Sequence, residues 1–291
     1  MDRVVLGTVQ FGLIYGVANT RGQVTMEEGS AILSTAWHAD VRMLDTAVRY
    51  GQSETVLGSL GVSDWQVITK LPEMPAGTAS AGEWVKTEVS ASLARLRVNR
   101  LHGLLLHRPA QLGGPGGEAL YRALLSEREL GRVRNIGVSV YGPEELDGLP
   151  AHMTFDIVQA PWNVLDQRMT RSGWAARLQD KGCEFHARSV FLQGLLLMAS
   201  QERPARFASW HTLFEAWHHW LADSEVLPLE ACLSQALMTP GIDRIVVGVD
   251  SADHLNQILA AVAQPRLLAP LPPSLFTEDP ALLNPALWSN A

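Results

Sequence analysis

The chain has 291 residues, 47% of them hydrophobic, and 23 basic side chains against 30 acidic ones give it a formal net charge of −7. That balance argues against nucleic acid or an anionic membrane surface as partner. The length suits one large domain with a sizeable core. Two cysteines, Cys183 and Cys232, give no disulfide framework and read as buried thiols of a reducing compartment. There is no run of 18 apolar residues, and Met1-Asp2-Arg3 opens no signal-peptide pattern, so a cytoplasmic protein is expected.

Strand-like runs alternate with helix-length segments throughout. Strands are expected near Val4–Gly7, Val41–Asp45, Gln66–Lys70, Leu101–His107, Asn135–Ser139, Ile157–Ala160, Cys183–Ser189 and Ile242–Val247. Between them lie amphipathic stretches such as Met26–Ala39, Glu83–Leu96, Gly117–Leu130 and Leu229–Met238. Near-continuous apolar runs mark strands buried on both faces. Strict alternation predicts a parallel sheet with right-handed crossovers. Eight repeats favour closure into a single α/β domain, a (β/α)8 TIM barrel, with an open doubly wound sheet as the alternative.

Three consecutive strands end in ionisable residues: Asp45, Lys70 and His107. The carboxyl ends of barrel strands carry the active site. Tyr50 follows Asp45 by five residues and is placed for proton chemistry. A phenol is a weak acid at neutral pH unless a cation lies beside it, and Lys70 is the candidate cation. Farther along, Gly114-Pro115-Gly116-Gly117-Glu118-Ala119 imitates a dinucleotide fingerprint. It lacks the direct strand-to-helix turn and the following acid, so it reads as a loop over the barrel mouth. Ser139 and Gln159 each end a strand with a neutral hydrogen-bonding group suited to an amide. Trp162 follows closely and is expected to wall a substrate pocket. Trp210, Phe214, Trp217 and Trp220 recur at helical spacing and read as the buried face of a helix. The nearby histidines form no convincing metal set. Asp250 and Ser251 open the last helix, and the ordinary reading makes them its cap. Residues 265–291 are expected to form a proline-rich extended tail packed on the barrel.

The segment Asp45-Thr46-Ala47, Tyr50-Gly51, Ser53-Glu54 and Leu57-Gly58 resembles the signature of the aldo-keto reductases. Lys70 in Ile68–Pro72, His107 in Leu105–Pro109, and Gly131–Ser139 match further signatures, and the resemblance runs from Leu6-Gly7-Thr8 to Val247-Gly248. It implies a barrel that reduces an aldehyde or ketone with a nicotinamide cofactor, NADP(H) first and NAD(H) second. Tyr50 is then the general acid, Lys70 lowers its pKa, Asp45 fixes Lys70, and His107 orients the carbonyl. The resemblance puts the nicotinamide on Ser139 and Gln159 and the pyrophosphate on Ser189, Phe191, Gln193 and Gly194. It puts the adenosine end on Gly248, Asp250, His254 and Gln257. Gly7, Thr8, Asp45 and Arg188 complete that set, and Phe11 joins Tyr50, His107 and Trp162 around the substrate. No metal is implied, and a monomer or small homo-oligomer is expected. The chain departs from the family at Val140, where Asn is usual, at Arg188, where an aromatic residue stacks on the nicotinamide, and at His254 and Gln257. A cofactor-binding regulatory barrel and a Schiff-base lyase using Lys70 stand as alternatives.

Overall fold

Successive residues of a strand point to opposite faces, and that alternation sorts the core into two parts. In a computed structural model that describes residues 1–288, Val5, Met43, Ile68, Leu105 and Ile157 form one small apolar cluster with Val246 against it. Their strand neighbours Val4, Leu6, Leu44, Val67, Leu104, Leu106 and Val158 belong to a separate, larger cluster shared with the helices. The first set fills the inside of a barrel. The second seals the barrel to its outer ring.

Among the described residues, eight parallel strands close that barrel in chain order. They are β1 (Val4–Gly7), β2 (Met43–Asp45), β3 (Gln66–Leu71), β4 (Leu101–Leu106), β5 (Val133–Ser139), β6 (Ile157–Pro161), β7 (Glu184–Arg188) and β8 (Arg244–Gly248). β8 pairs with β1, Val246 opposite Val5, so no sheet edge remains and the open-sheet alternative falls. The helices are α1 (Met26–His38), α2 (Ser53–Leu60), α3 (Ala81–Leu96), α4 (Gly117–Glu129), α5 (Pro143–Asp147), α6 (Arg168–Arg171), α7 (Trp174–Asp180), α8 (His211–Asp223), α9 (Pro228–Met238), α10 (Ala252–Ala263) and α11 (Pro280–Leu283). The fold is the expected (β/α)8 barrel. Thr25, Ser80 and Ser251 start α1, α3 and α10 by accepting backbone N–H groups of Glu28, Glu83 and His254. No helix among the described residues is long and apolar enough to cross a membrane.

Phe214, Trp217 and Trp220 of α8 are buried, and the Trp217 indole N–H donates to the Leu196 carbonyl at 3.0 Å. This aromatic face therefore braces the loop after β7. The chain after α10 is built of short turns. Leu275, Leu282 and Leu283 are buried there, and the Trp210 indole N–H donates to Asp279 at 2.9 Å. The end of the expected tail, 289–291, lies outside the described residues. The glycine-rich segment 114–119 starts α4, and its residues do not line the barrel mouth. It serves close packing: a Cβ on Gly117 would fall 2.1 Å from the Leu112 carbonyl oxygen.

Gly58 plays the same part between α2 and α3. A Cβ there would lie 2.0 Å from the Arg95 carbonyl oxygen. Backbone cannot rotate aside as a side chain can, so Gly58→Ala must push the two helices apart. We expect a loss of about 1–3 kcal/mol, the usual cost of overpacking, read as a lower urea midpoint at unchanged m-value.

Candidate active site

The interior apolar layer decides where the polar groups emerge. Two residues beyond Met43, Ile68, Leu105, Ile157 and Val246 the same strand face presents Asp45, Lys70, His107, Gln159 and Gly248 at the carboxyl rim. The period of two makes both sets point inward.

Lys70 is fully buried and gives its ammonium to both carboxylate oxygens of Asp45, at 2.7 and 2.6 Å, and to the Thr46 carbonyl at 3.1 Å. The Gln159 amide also donates to Asp45, at 2.8 Å. Three strands, β2, β3 and β6, thus meet on one carboxylate. Burial pulls the Lys70 pKa down from its ordinary value while Asp45 works against it.

Tyr50 sits half-buried beside this pair, with Lys70 Nζ 5.1 Å from its ring centre. Here the structure departs from the expectation that Lys70 acidifies the phenol. Burial and then the Asp45 charge hold the Tyr50 pKa well above its ordinary value, and Arg188 is the cation that opposes them. The reason is that the Lys70 ammonium is committed to Asp45. Tyr50 is accordingly a fully protonated phenol. His107 meets it edge-on, ring centres 5.8 Å apart. Burial first, then Lys70, Arg188, Arg108 and Arg49, push the imidazole pKa down to about 3, so the ring is neutral. Its buried Nδ1 has no partner among the described residues.

The Tyr50 segment is tied at both ends. Thr8 donates its hydroxyl to the Asp45 carbonyl at 2.9 Å, Thr46 donates to Ser53 at 3.0 Å, and Ser53 donates to the Thr8 carbonyl at 2.8 Å. Buried Glu54 accepts from Thr69 at 2.6 Å and from Arg95 Nε at 2.7 Å, joining α2 to β3 and α3. Gly12 lets the loop after β1 lie on this turn, since a Cβ there would fall 1.8 Å from the Tyr50 carbonyl oxygen.

These groups open onto a cavity of about 670 Å³. Asp45, Tyr50 and His107 line it, while Lys70 lies beneath Asp45. Gly7, Thr8, Ser139, Gln159, Arg188, Ser189, Phe191, Gln193, Gly194, Gly248, Asp250, His254 and Gln257 line the same space. Two expected wall residues do not. Phe11 is fully buried against α1, where a Cβ on Gly29 would touch its ring, because the single turn after β1 swings it outward. Trp162 packs into the outer core, its backbone N–H donating to the Arg188 carbonyl at 3.0 Å. Asp250 does not cap α10. Ser251 does, and the buried Oδ1 of Asp250 has no partner.

The sequence reading missed the loop between β1 and α1. Tyr15, Gly16, Ala18 and Asn19 line the cavity, and the Gln193 amide donates to the Tyr15 hydroxyl at 3.0 Å, strapping this loop to the one after β7. The signal was Asn19, whose side-chain oxygen accepts from Arg21 and Gly22 N–H groups in a turn of its own. In the loop after β7, Ser189, Leu192 and Gln193 take positive φ of 60°, 47° and 54°, followed by Gly194 at 92°. Left-handed residues are costly and cluster at ligand sites; here the Leu192 and Gly194 N–H groups turn back onto the Ser189 and Phe191 carbonyls, each at 2.9 Å.

A closed parallel barrel with its ionisable groups gathered at one rim has the architecture of a barrel enzyme. The model of the aldo/keto reductase family matches residues 3–268, and the chain belongs to that family of oxidoreductases. It is 34% identical over 137 residues to an aldo-keto reductase of Mycobacterium avium (strain 104), covering 43% of this chain and 46% of the relative. It is 26% identical over 219 residues to the oxidoreductase sirO of Leptosphaeria maculans, covering 72% and 65%. It is 32% identical over 130 residues to 2,5-diketo-D-gluconic acid reductase B of a Corynebacterium, covering 43% of each. The chain thus spans roughly half the length of the curated relatives it matches. The aldo-keto reductase AKR11C1 of Bacillus halodurans, solved in its holo form, shares the fold with a TM-score of 0.72 at 18% identity, over 91% of this chain and 88% of that one.

The neutral state of His107 has a consequence for stability. An unfolded imidazole binds its proton near pH 6.5, but His107 in the fold does so only near pH 3. Between those values the unfolded chain holds more protons, so acidification favours unfolding. His102, lowered to about 4, adds to the same window. We expect the urea midpoint to fall between about pH 7 and about pH 4.5, and to fall less in His107→Gln, which has nothing there to titrate.

Proposed function

We propose that the protein reduces an aldehyde or ketone to an alcohol, or runs the reverse, with Tyr50 as the proton donor. The observation that carries this reading is the convergence of Tyr50, His107 and the Asp45–Lys70 pair on one cavity that Ser139 and Gln159 also line. A protonated phenol gives its proton to the carbonyl oxygen as negative charge builds there. The neutral imidazole of His107 donates a hydrogen bond to the same oxygen and aligns it. Lys70 fixes Asp45 beneath the phenol, and Arg188 is the cation that favours the phenolate left by proton transfer. A Schiff-base role for Lys70 fits poorly, since its amine is fully buried and its three donors are engaged.

The cavity suits a nicotinamide dinucleotide, which when bound supplies or accepts the hydride. Support comes from the loop after β7, whose Ser189, Phe191, Gln193 and Gly194 line the cavity, for the pyrophosphate, and from Ser139 and Gln159 for the carboxamide. Small carbonyl compounds, sugars among them, are the substrate class. One relative is named as a reductase of a diketo sugar acid. A cytoplasmic setting accords with the free, buried Cys183 and Cys232.

The resemblance makes NADP(H) the first choice of cofactor. A specific observation favours NAD(H). Asp250 lines the cavity, its buried Oδ1 without a partner among the described residues, and beside it the Glu28 carboxylate takes the first N–H of α10, from Ala252, at 2.7 Å. Carboxylates repel a 2′-phosphate and accept from a ribose hydroxyl.

Two measurements test these readings. Tyr50→Phe is expected to lose on the order of 10²-fold or more in turnover while cofactor Kd stays within about twofold. Near-normal reduction by that variant would sink the proton assignment. For the cofactor, fluorescence titration with NADPH and NADH gives a ratio of Kd values. In Asp250→Ser that ratio is expected to move toward NADPH by at least about tenfold. A ratio that stays put removes Asp250 from cofactor choice.

A further inference from the structure

Arg188 is a cation with no counter-ion. It ends β7 and lines the cavity, and among the described residues no carboxylate lies within ion-pair distance of its guanidinium. A part-buried charge without a partner is costly, and the chain holds this one in place by neutral contacts. One Nη2 N–H donates to the Val140 carbonyl at 3.0 Å and one Nη1 N–H to the Ser189 hydroxyl at 3.3 Å. The guanidinium carbon stands 4.9 Å from the centre of the Tyr141 ring. Tyr141 is anchored in turn: its N–H donates to Glu145 at 2.8 Å and its carbonyl accepts from Arg168 at 2.9 Å. Arg108 approaches the same ring, 5.2 Å from its centre. An arginine has five donors, so these contacts hold Arg188 while leaving donors for the cavity.

Ser189, Gln193, Gly194, Asp250 and His254 line the same cavity. Arg188 is held by the Val140 carbonyl just beyond β5 and by Ser189, and it lies within electrostatic reach of Tyr50, His107 and Tyr15. Around the carbonyl end Asp45 is already neutralised by Lys70, so the surplus charge is positive.

We propose that Arg188 anchors an anion subsite beside the reacting carbonyl, so that the substrate is a carbonyl compound bearing a carboxylate or phosphate. This rests on the reductase reading above and adds the substrate class. A guanidinium fork matches either oxyanion with two parallel hydrogen bonds. The Tyr141 ring, between the Arg108 and Arg188 guanidinium groups, keeps the fork aimed.

The experiment compares charged and neutral partners of similar shape: 4-oxobutanoate against its methyl ester, and glycolaldehyde phosphate against glycolaldehyde. Both kcat/KM and calorimetric binding to the cofactor-loaded protein are measured. Wild type is expected to favour at least one anion by about tenfold or more, mostly in KM. Arg188→Met is expected to bring that ratio to about one, while Arg188→Lys keeps part of it because a point charge remains without the fork. The preferred probe tells carboxylate from phosphate. Turnover without anion preference, or equal losses on charged and neutral substrates in Arg188→Met, overturns the subsite and leaves the reductase reading standing. Anion-selective binding without turnover sustains the subsite and removes the reductase reading. Arg188→Lys, checked for an unchanged thermal melt, keeps the test valid if Arg188→Met does not fold.

Discussion

Everything at the barrel rim depends on the buried ion pair between Asp45 and Lys70. Both charges lie out of water, with Lys70 wholly enclosed. Breaking such a pair by removing one partner typically costs about 3–5 kcal/mol, because the survivor is left charged and unpaired. The pair therefore holds β2 and β3 in register, and the Gln159 amide extends its grip across the barrel to β6. It also sets the electrostatics of its neighbours. Burial and the Asp45 charge leave the Tyr50 phenol its proton, and burial with the Lys70 charge keeps the His107 imidazole neutral. The rim is thus lined by hydrogen-bond donors around one paired carboxylate.

The cavity has two ends built in different ways. Around Tyr50 and His107 the groups come from strand ends whose orientation the barrel interior dictates. At the other end they come from loops: the strap after β1, the left-handed run after β7 and the turn before α10. Loops are supported rather than dictated. Trp217 on α8 props Leu196, and Asn163 donates to the Ser189 carbonyl at 3.2 Å. The guanidinium of Arg188 rests on the backbone carbonyl of Val140, which joins the end of β7 to the loop after β5.

Much of this was legible in the sequence, and the reason is periodicity. Near-continuous apolar runs at regular spacing can only be strands buried on both faces, and eight of them closed as expected, with ends within about two residues of the reading. The same period of two brought Asp45, Lys70, His107, Ser139, Gln159, Arg188 and Gly248 to one rim. A strand that enters the barrel wall has no freedom over which side its last residue faces. Phe11 and Trp162 were expected beside the substrate and instead joined the outer core: the turn after β1 reverses Phe11, while Trp162 continues the outward phase of Val158 and Ala160.

By itself, then, the sequence determined the barrel, its chain order and the identity of the ionisable groups at its rim, because local periodicity carries that information. Only the tertiary structure decided how those groups share their charges. That Arg188 has no ion pair among the described residues, that Gln159 joins the Asp45–Lys70 pair, and that the loop after β1 straps itself to Gln193 all follow from distances between residues far apart in the chain. Electrostatic interaction falls with separation in space and takes no account of separation in sequence.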